Sequence, residues 1–306
     1  MEKIQSAIAK ARADRAARIA ESGMIQTGSS AVAAAPTPAM PMPPLSLRPE
    51  MQVAKSAPGL PTEAEAAAIS ARWHALPAFS PAPALMARGH VVTFTGGQES
   101  VHFDVMRTRL LQLMRANGWR RVAITSPGPA CGKSTLALNL AFSLGRQPDL
   151  RTLLLEMDLR RPSLARMLGL RDKHSSAHVL EGLEPLALNA VRNGENLAIA
   201  TQFSPARRPA ELLHSPATAA ALDVIEVEYH PAVILCDLPP LFASDDAMAV
   251  MGQMDAALIV AASESTTVKE IDRCEREIAA QTNLIGVVLN KCRYMEKDYG
   301  YEYYGK

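Results

Sequence analysis

Ser126-Pro127-Gly128-Pro129-Ala130-Cys131-Gly132-Lys133-Ser134-Thr135 joins an apolar run at 121–126 to a helical pattern at 133–144. A strand, a tight loop and a helix opening on Gly-Lys-Ser-Thr form the ending of a P-loop. In such a loop the backbone N–H groups of residues 129–134 surround phosphate oxygens, and the helix adds its positive N-terminus. The expected nucleotide-binding set is Gly128, Pro129, Ala130, Cys131, Gly132, Lys133, Ser134 and Thr135. Lys133 is placed to neutralise the β- and γ-phosphates of ATP, and the Ser134 hydroxyl to ligate Mg²⁺. The strict pattern has a glycine where this chain has Pro127.

Working outward, further apolar runs at 152–158, 197–201, 232–237, 256–262 and 284–290 alternate with helical patterns at 208–228, 244–253 and 266–281, and another helix is expected at 106–116. That alternation predicts an α/β fold, a P-loop NTPase-like, mostly parallel sheet flanked by helices. The runs are continuous, as in strands covered on both faces.

Two of these runs end in acid. Leu153-Leu154-Leu155-Glu156-Met157-Asp158-Leu159-Arg160-Arg161-Pro162 carries carboxylates at i and i+2, on one side of an extended chain and at the edge where open α/β sheets bind ligands. Val233-Ile234-Leu235-Cys236-Asp237-Leu238-Pro239-Pro240 is a buried-type strand ending in one Asp, the pattern of a Walker B carboxylate that holds Mg²⁺. Each alone is equally well a capping or turn carboxylate. In this order behind a P-loop, the ligand reading prevails.

Composition divides the chain. Eleven of the 22 prolines fall between Pro36 and Pro83, so 22–90 is expected to be an extended or disordered Ala/Pro-rich linker after a short helical candidate at 1–21. A domain at 91–292 follows, then a tail at 293–306 holding five of the six tyrosines: Tyr294, Tyr299, Tyr301, Tyr303 and Tyr304. With glycines, charges and no apolar companions, this tail is expected to be accessible, a set of phosphate acceptors before a packing element. A net charge of +1 implies no overall pull toward nucleic acid. Four scattered cysteines read as reduced thiols, and no run approaches the ~20 apolar residues of a membrane span.

Residues 126–135, 156–162 and 237–240 with the tyrosine tail resemble the bacterial tyrosine kinases of capsule and exopolysaccharide synthesis, deviant P-loop ATPases related to the Min and Par proteins. The likeness covers about 95–306, with smaller echoes at 209–213 and 286–290. It implies an ATP- and Mg²⁺-dependent tyrosine autokinase. Lys133, Glu156, Asp158 and Arg160 would be catalytic, Glu156 as the base; Ser134, Asp158 and Asp237 would hold the metal, and Asn290 would join the nucleotide site. It also implies self-association, and a cytoplasmic protein recruited to the inner membrane face by a polysaccharide chain-length or co-polymerase protein as activator. Three departures stand out: Ala130 replaces a loop glycine, Glu156 replaces an aspartate, and only Arg107 survives of an oligomerisation motif near 101–107. A Min- or Par-type ATPase without kinase activity and a degenerate nucleotide-binding regulator are the alternatives.

Overall fold

The computed structural model describes residues 62–292. The helical candidate at 1–21, the linker up to 61 and the tyrosine tail lie outside the described residues. Among the described residues the strands are β1 (Arg121–Thr125), β2 (Thr152–Glu156), β3 (Ala190–Asn193), β4 (Leu197–Ala200), β5 (Val233–Asp237), β6 (Ala256–Ala262) and β7 (Asn283–Asn290). They form one sheet in the order β3-β4-β2-β5-β1-β6-β7. All neighbours are parallel except β3, which runs antiparallel to β4.

Every residue of β1, β2, β5 and β6 is buried, which is why their sequences read as unbroken apolar runs. Alternate side chains still serve opposite faces. Leu153 and Leu155 enter one core, under α8 (Pro216–Tyr229) and α10 (Val268–Ala279). Leu154 enters the other, with α3 (Val101–Asn117), α4 (Lys133–Gly145) and α5 (Leu164–Leu168). Each such leucine contributes roughly 1.5–3 kcal/mol by burial.

Three expectations need correction. β3 escaped notice because Ala190-Val191-Arg192-Asn193 is too short to show a period. The helix expected at 208–228 is two helices, α7 (Pro209–His214) and α8. Ser215 is extended, its hydroxyl accepts from Thr218 N at 3.3 Å, and Pro216 opens the new helix.

The larger correction concerns 62–90, which is folded. Thr62 and Glu65 form a capping box that starts α1 (Glu63–Ala75), and α2 (Pro83–Arg88) opens on its proline. Here the prolines separate two helices. Trp73, Leu76, Met86 and Val91 are at most 1% exposed, and that apolar burial holds the segment. Trp73 Nε1 donates to Tyr229 O at 2.6 Å. Arg192 N donates to Pro77 O at 2.8 Å and Phe79 N to Arg192 O at 2.7 Å, so the segment pairs with the β3 edge. It crosses there from one core, with Trp73, to the other, with Met86. No helix among the described residues is long and apolar enough to cross a membrane.

Candidate active site at the phosphate loop

The phosphate loop leaves β1 and enters α4, which begins at Lys133. Ala130 sits at φ 62° and Gly132 at φ 89°. The left-handed region costs a residue with a Cβ about 1 kcal/mol, so the loop keeps a glycine conformation with alanine in place. Gly132 is needed for space as well: a Cβ there would collide with the Asn290 amide. Asn290 closes β7, and its Nδ2 donates to Cys131 O at 2.9 Å, which fixes the loop from two strands away.

The loop is also tied to the Asp237 tract. Thr125 Oγ1 donates to Pro239 O at 2.8 Å, Leu241 N to Ser126 O at 2.7 Å and Phe242 N to Pro127 O at 3.2 Å. Cys131 is buried and its thiol faces Gly128 O, as befits a small packing residue.

The acidic groups converge on Lys133. Its Nζ donates to Asp158 Oδ2 at 2.8 Å, while Asp158 Oδ1 accepts from Arg161 N at 3.1 Å. Burial works against the Lys133 ammonium, but Asp237, Asp158 and Glu156 outweigh it and hold its pKa above the usual lysine value.

Asp237 is completely buried, and neither carboxylate oxygen has a hydrogen-bond partner of good geometry among the described residues. Burial pushes its pKa up to about 6, against the Lys133 charge and the nearby Ser134 hydroxyl. A buried carboxylate so sparsely paired is costly unless a cation completes it. The donor set of Ser134 hydroxyl and Asp237 carboxylate is all oxygen, which fits Mg²⁺.

Glu156 is placed differently from the expectation. It lies opposite Asp237 in the β2–β5 register, where β2 ends, so Asp158 falls beyond the strand and the two acids part. Glu156 Oε1 accepts from Ser163 N at 2.5 Å and Leu164 N at 2.8 Å; Oε2 accepts from Gln202 N at 2.8 Å. Burial raises its pKa to about 7, against those three bonds. With no exposed surface and both oxygens engaged, Glu156 anchors the chain around it.

Arg160 pairs with Asp246, at the start of α9 (Asp246–Met251), with Nε–Oδ2 at 2.6 Å and Nη2–Oδ1 at 3.0 Å. Sequence reasoning missed Asp246, since nothing local marks an aspartate 86 positions away as its partner. Arg107 is likewise taken within the chain, by Asp104 Oδ1 at 3.0 Å and Ser143 Oγ at 3.0 Å.

Residues 119–304 match the ParA family, described as NUBPL iron-transfer P-loop NTPase. The chain belongs to this P-loop NTPase family. Within it the likeness is to the bacterial tyrosine kinases, as the motifs at 126–135, 156–162 and 237–240 imply. EpsB of Ralstonia nicotianae is 30% identical over 200 residues, 64% of this chain and 26% of that protein. The tyrosine-protein kinase YwqD of Bacillus subtilis is 29% identical over 216 residues, 67% of this chain and 86% of that one. The solved VpsO kinase domain superposes with a TM-score of 0.56 at 26% identity, over 63% of this chain and 96% of that one. The chain thus spans only about a quarter of the length of some of its P-loop NTPase relatives, at 26% of EpsB.

Proposed function

We propose that this chain is an ATP- and Mg²⁺-dependent tyrosine kinase of polysaccharide synthesis or export that phosphorylates its own C-terminal tyrosines. The observation that carries the reading is Asp237: a fully buried carboxylate that meets only the Ser134 hydroxyl and the Lys133 charge. Residues 128–135 would cradle the phosphates, and Ser134 and Asp237 would hold the cation. When bound, Mg²⁺ would neutralise charge on the phosphates. Phosphate entering the loop competes with Asp158 for Lys133, which frees Asp158 at the reaction edge. Asp158 is then the carboxylate that accepts the proton of the attacking tyrosine, in the role the resemblance gave to Glu156. Transfer needs positioning and charge neutralisation, and no covalent enzyme intermediate.

The acceptors are Tyr294, Tyr299, Tyr301, Tyr303 and Tyr304, presented by a second copy. Each phosphate adds about −1.5 to −2 charge, which repels the acidic edge and releases the subunits. A membrane polysaccharide co-polymerase is the proposed activator, recruiting the protein to the cytoplasmic face. A second reading, a Min- or Par-type ATPase without transfer, draws support from the burial of Glu156.

Incubation with Mg-ATP, anti-phosphotyrosine detection and mass spectrometry separate the two. The kinase reading expects label on Tyr299 to Tyr304, and a chain truncated after Lys297 that binds ATP but loses most phosphotyrosine. ATP hydrolysis with no phosphotyrosine, or label on Tyr229, would leave the ATPase reading.

A further inference from the structure

The loop that follows β2 is held along its length. Asp158 is fixed by Lys133 Nζ and Arg161 N, and Leu159 O accepts from Ala206 N at 2.9 Å. Arg160 reaches out of this loop to the one that follows β5, where Asp246 accepts from both Nε and Nη2. A two-bond fork of this kind fixes direction as well as distance.

The pair is lopsided in burial. The Asp246 side chain is 1% exposed, the Arg160 side chain 48%. A carboxylate at that depth requires a cation, and Asp246 takes one whose outer side stands in water. Asp245 and Glu211 add to the negative field around the same guanidinium. Glu211 belongs to α7, whose sequence, Pro209-Ala210-Glu211-Leu212-Leu213, the motifs at the phosphate loop left without a role. α7 packs against α9, and its buried Leu213 shares a core with Ala247 and Val250. That packing seats the helix on which Asp246 stands.

The fork therefore joins two loops that both carry acids of the candidate site. One begins at Asp237 and ends at Asp246. The other carries Asp158 two residues before Arg160.

We propose that Asp246 is a positioning residue: acting through Arg160, it fixes the backbone that carries Asp158 and couples it to the Asp237 tract. Arg160 is then a tether, its guanidinium committed to Asp246, in place of the catalytic role that the resemblance gave it. The proposal rests on the reading of Asp158 as the carboxylate at the reaction edge. Nucleotide affinity comes from the phosphate loop and Lys133 and does not pass through Asp246, whereas the rate does.

The test uses the full chain with Mg-ATP and follows ATP consumption and phosphotyrosine formation side by side. Asp246→Asn and Arg160→Ala are each expected to lower kcat about tenfold with KM for ATP within about twofold. The double variant should lose no more than either single one, because all three remove the same tie. Arg160→Lys, which keeps a charge on the loop for Asp246, should recover part of kcat. Millimolar guanidinium ion added to Arg160→Ala should leave the rate low, since a free ion is not joined to the loop. Recovery of the rate by guanidinium would overturn the tether and make the cation itself the acting group. A wild-type kcat in folded Asp246→Asn, or additive losses in the double variant, would overturn the positioning role. Loss of ATP consumption in the variants, with no phosphotyrosine even from the wild type, would keep that role and overturn the kinase reading.

Discussion

Lys133 of the phosphate loop and Asp158 beyond β2 form a nearly buried ion pair, Nζ to Oδ2 at 2.8 Å, with side chains 13% and 5% exposed. The pair holds the phosphate-loop lysine in place with one of its three N–H donors, which leaves two for a phosphate oxygen.

Replacing Lys133 by Met removes both the phosphate contact and the cation among three acids. Charge-assisted hydrogen bonds are worth about 1.5–3 kcal/mol each. Nucleotide affinity is expected to fall by at least tenfold and phosphotyrosine to vanish, with the circular dichroism of the folded chain retained. Titration with a fluorescent ATP analogue checks the first, and immunoblotting the second.

Asp237 leaves a signature in the pH dependence of stability. Its folded pKa, about 6, is above the ordinary 3.8, so its favourable contribution is full below about 3.8 and lost as pH rises through 6. A shift of that size corresponds to roughly 3 kcal/mol. Denaturant melts of the nucleotide-free protein should show this loss between pH 4 and 7, and Asp237→Asn should flatten it. The same variant should lose most turnover. An unchanged pH slope would mean that the carboxylate is already satisfied.

Anchor and base make opposite predictions for Glu156. As an anchor it needs acceptors on both sides. Glu156→Gln keeps an oxygen for Ser163 N and Leu164 N but turns an NH2 toward Gln202 N, so it should lower stability by about 1–3 kcal/mol while the folded protein keeps phosphotyrosine formation within about threefold. Glu156→Ala leaves three buried N–H groups without an acceptor, at about 1–3 kcal/mol for each group stranded. It should unfold at markedly lower denaturant. A Gln variant that folds normally but transfers nothing would restore Glu156 as the base.

The segment before the sheet is tested by Trp73→Ala. Trp73 is 1% exposed, meets Tyr229 edge-on at 6.3 Å between centroids, and donates to its carbonyl. Truncating a buried tryptophan costs about 3–5 kcal/mol. Urea melts should show a loss of that order, whereas an extended linker would show none.

What the sequence settled by itself was local. The Gly-Lys-Ser-Thr ending, the acidic strand ends at Glu156 and Asp237 and the unbroken apolar runs are read within ten residues, because loop, strand and helix preferences act over that range. Thr62 and Glu65 carry the spacing of a capping box, a signal that the reading of 22–90 as a linker did not use.

Only the tertiary structure decided how these pieces are used. Asn290 reaches Cys131 across 159 positions, Arg160 reaches Asp246 across 86, and Glu156 is captured by Gln202 across 46. The i, i+2 spacing placed Glu156 and Asp158 together, yet β2 stops between them, so one became a buried anchor and the other the partner of Lys133. Sheet order brings such partners together, and that order comes from packing two cores against the sheet's opposite faces. A carboxylate's chemistry follows from which donors and which solvent it meets, and no spacing along the chain fixes either.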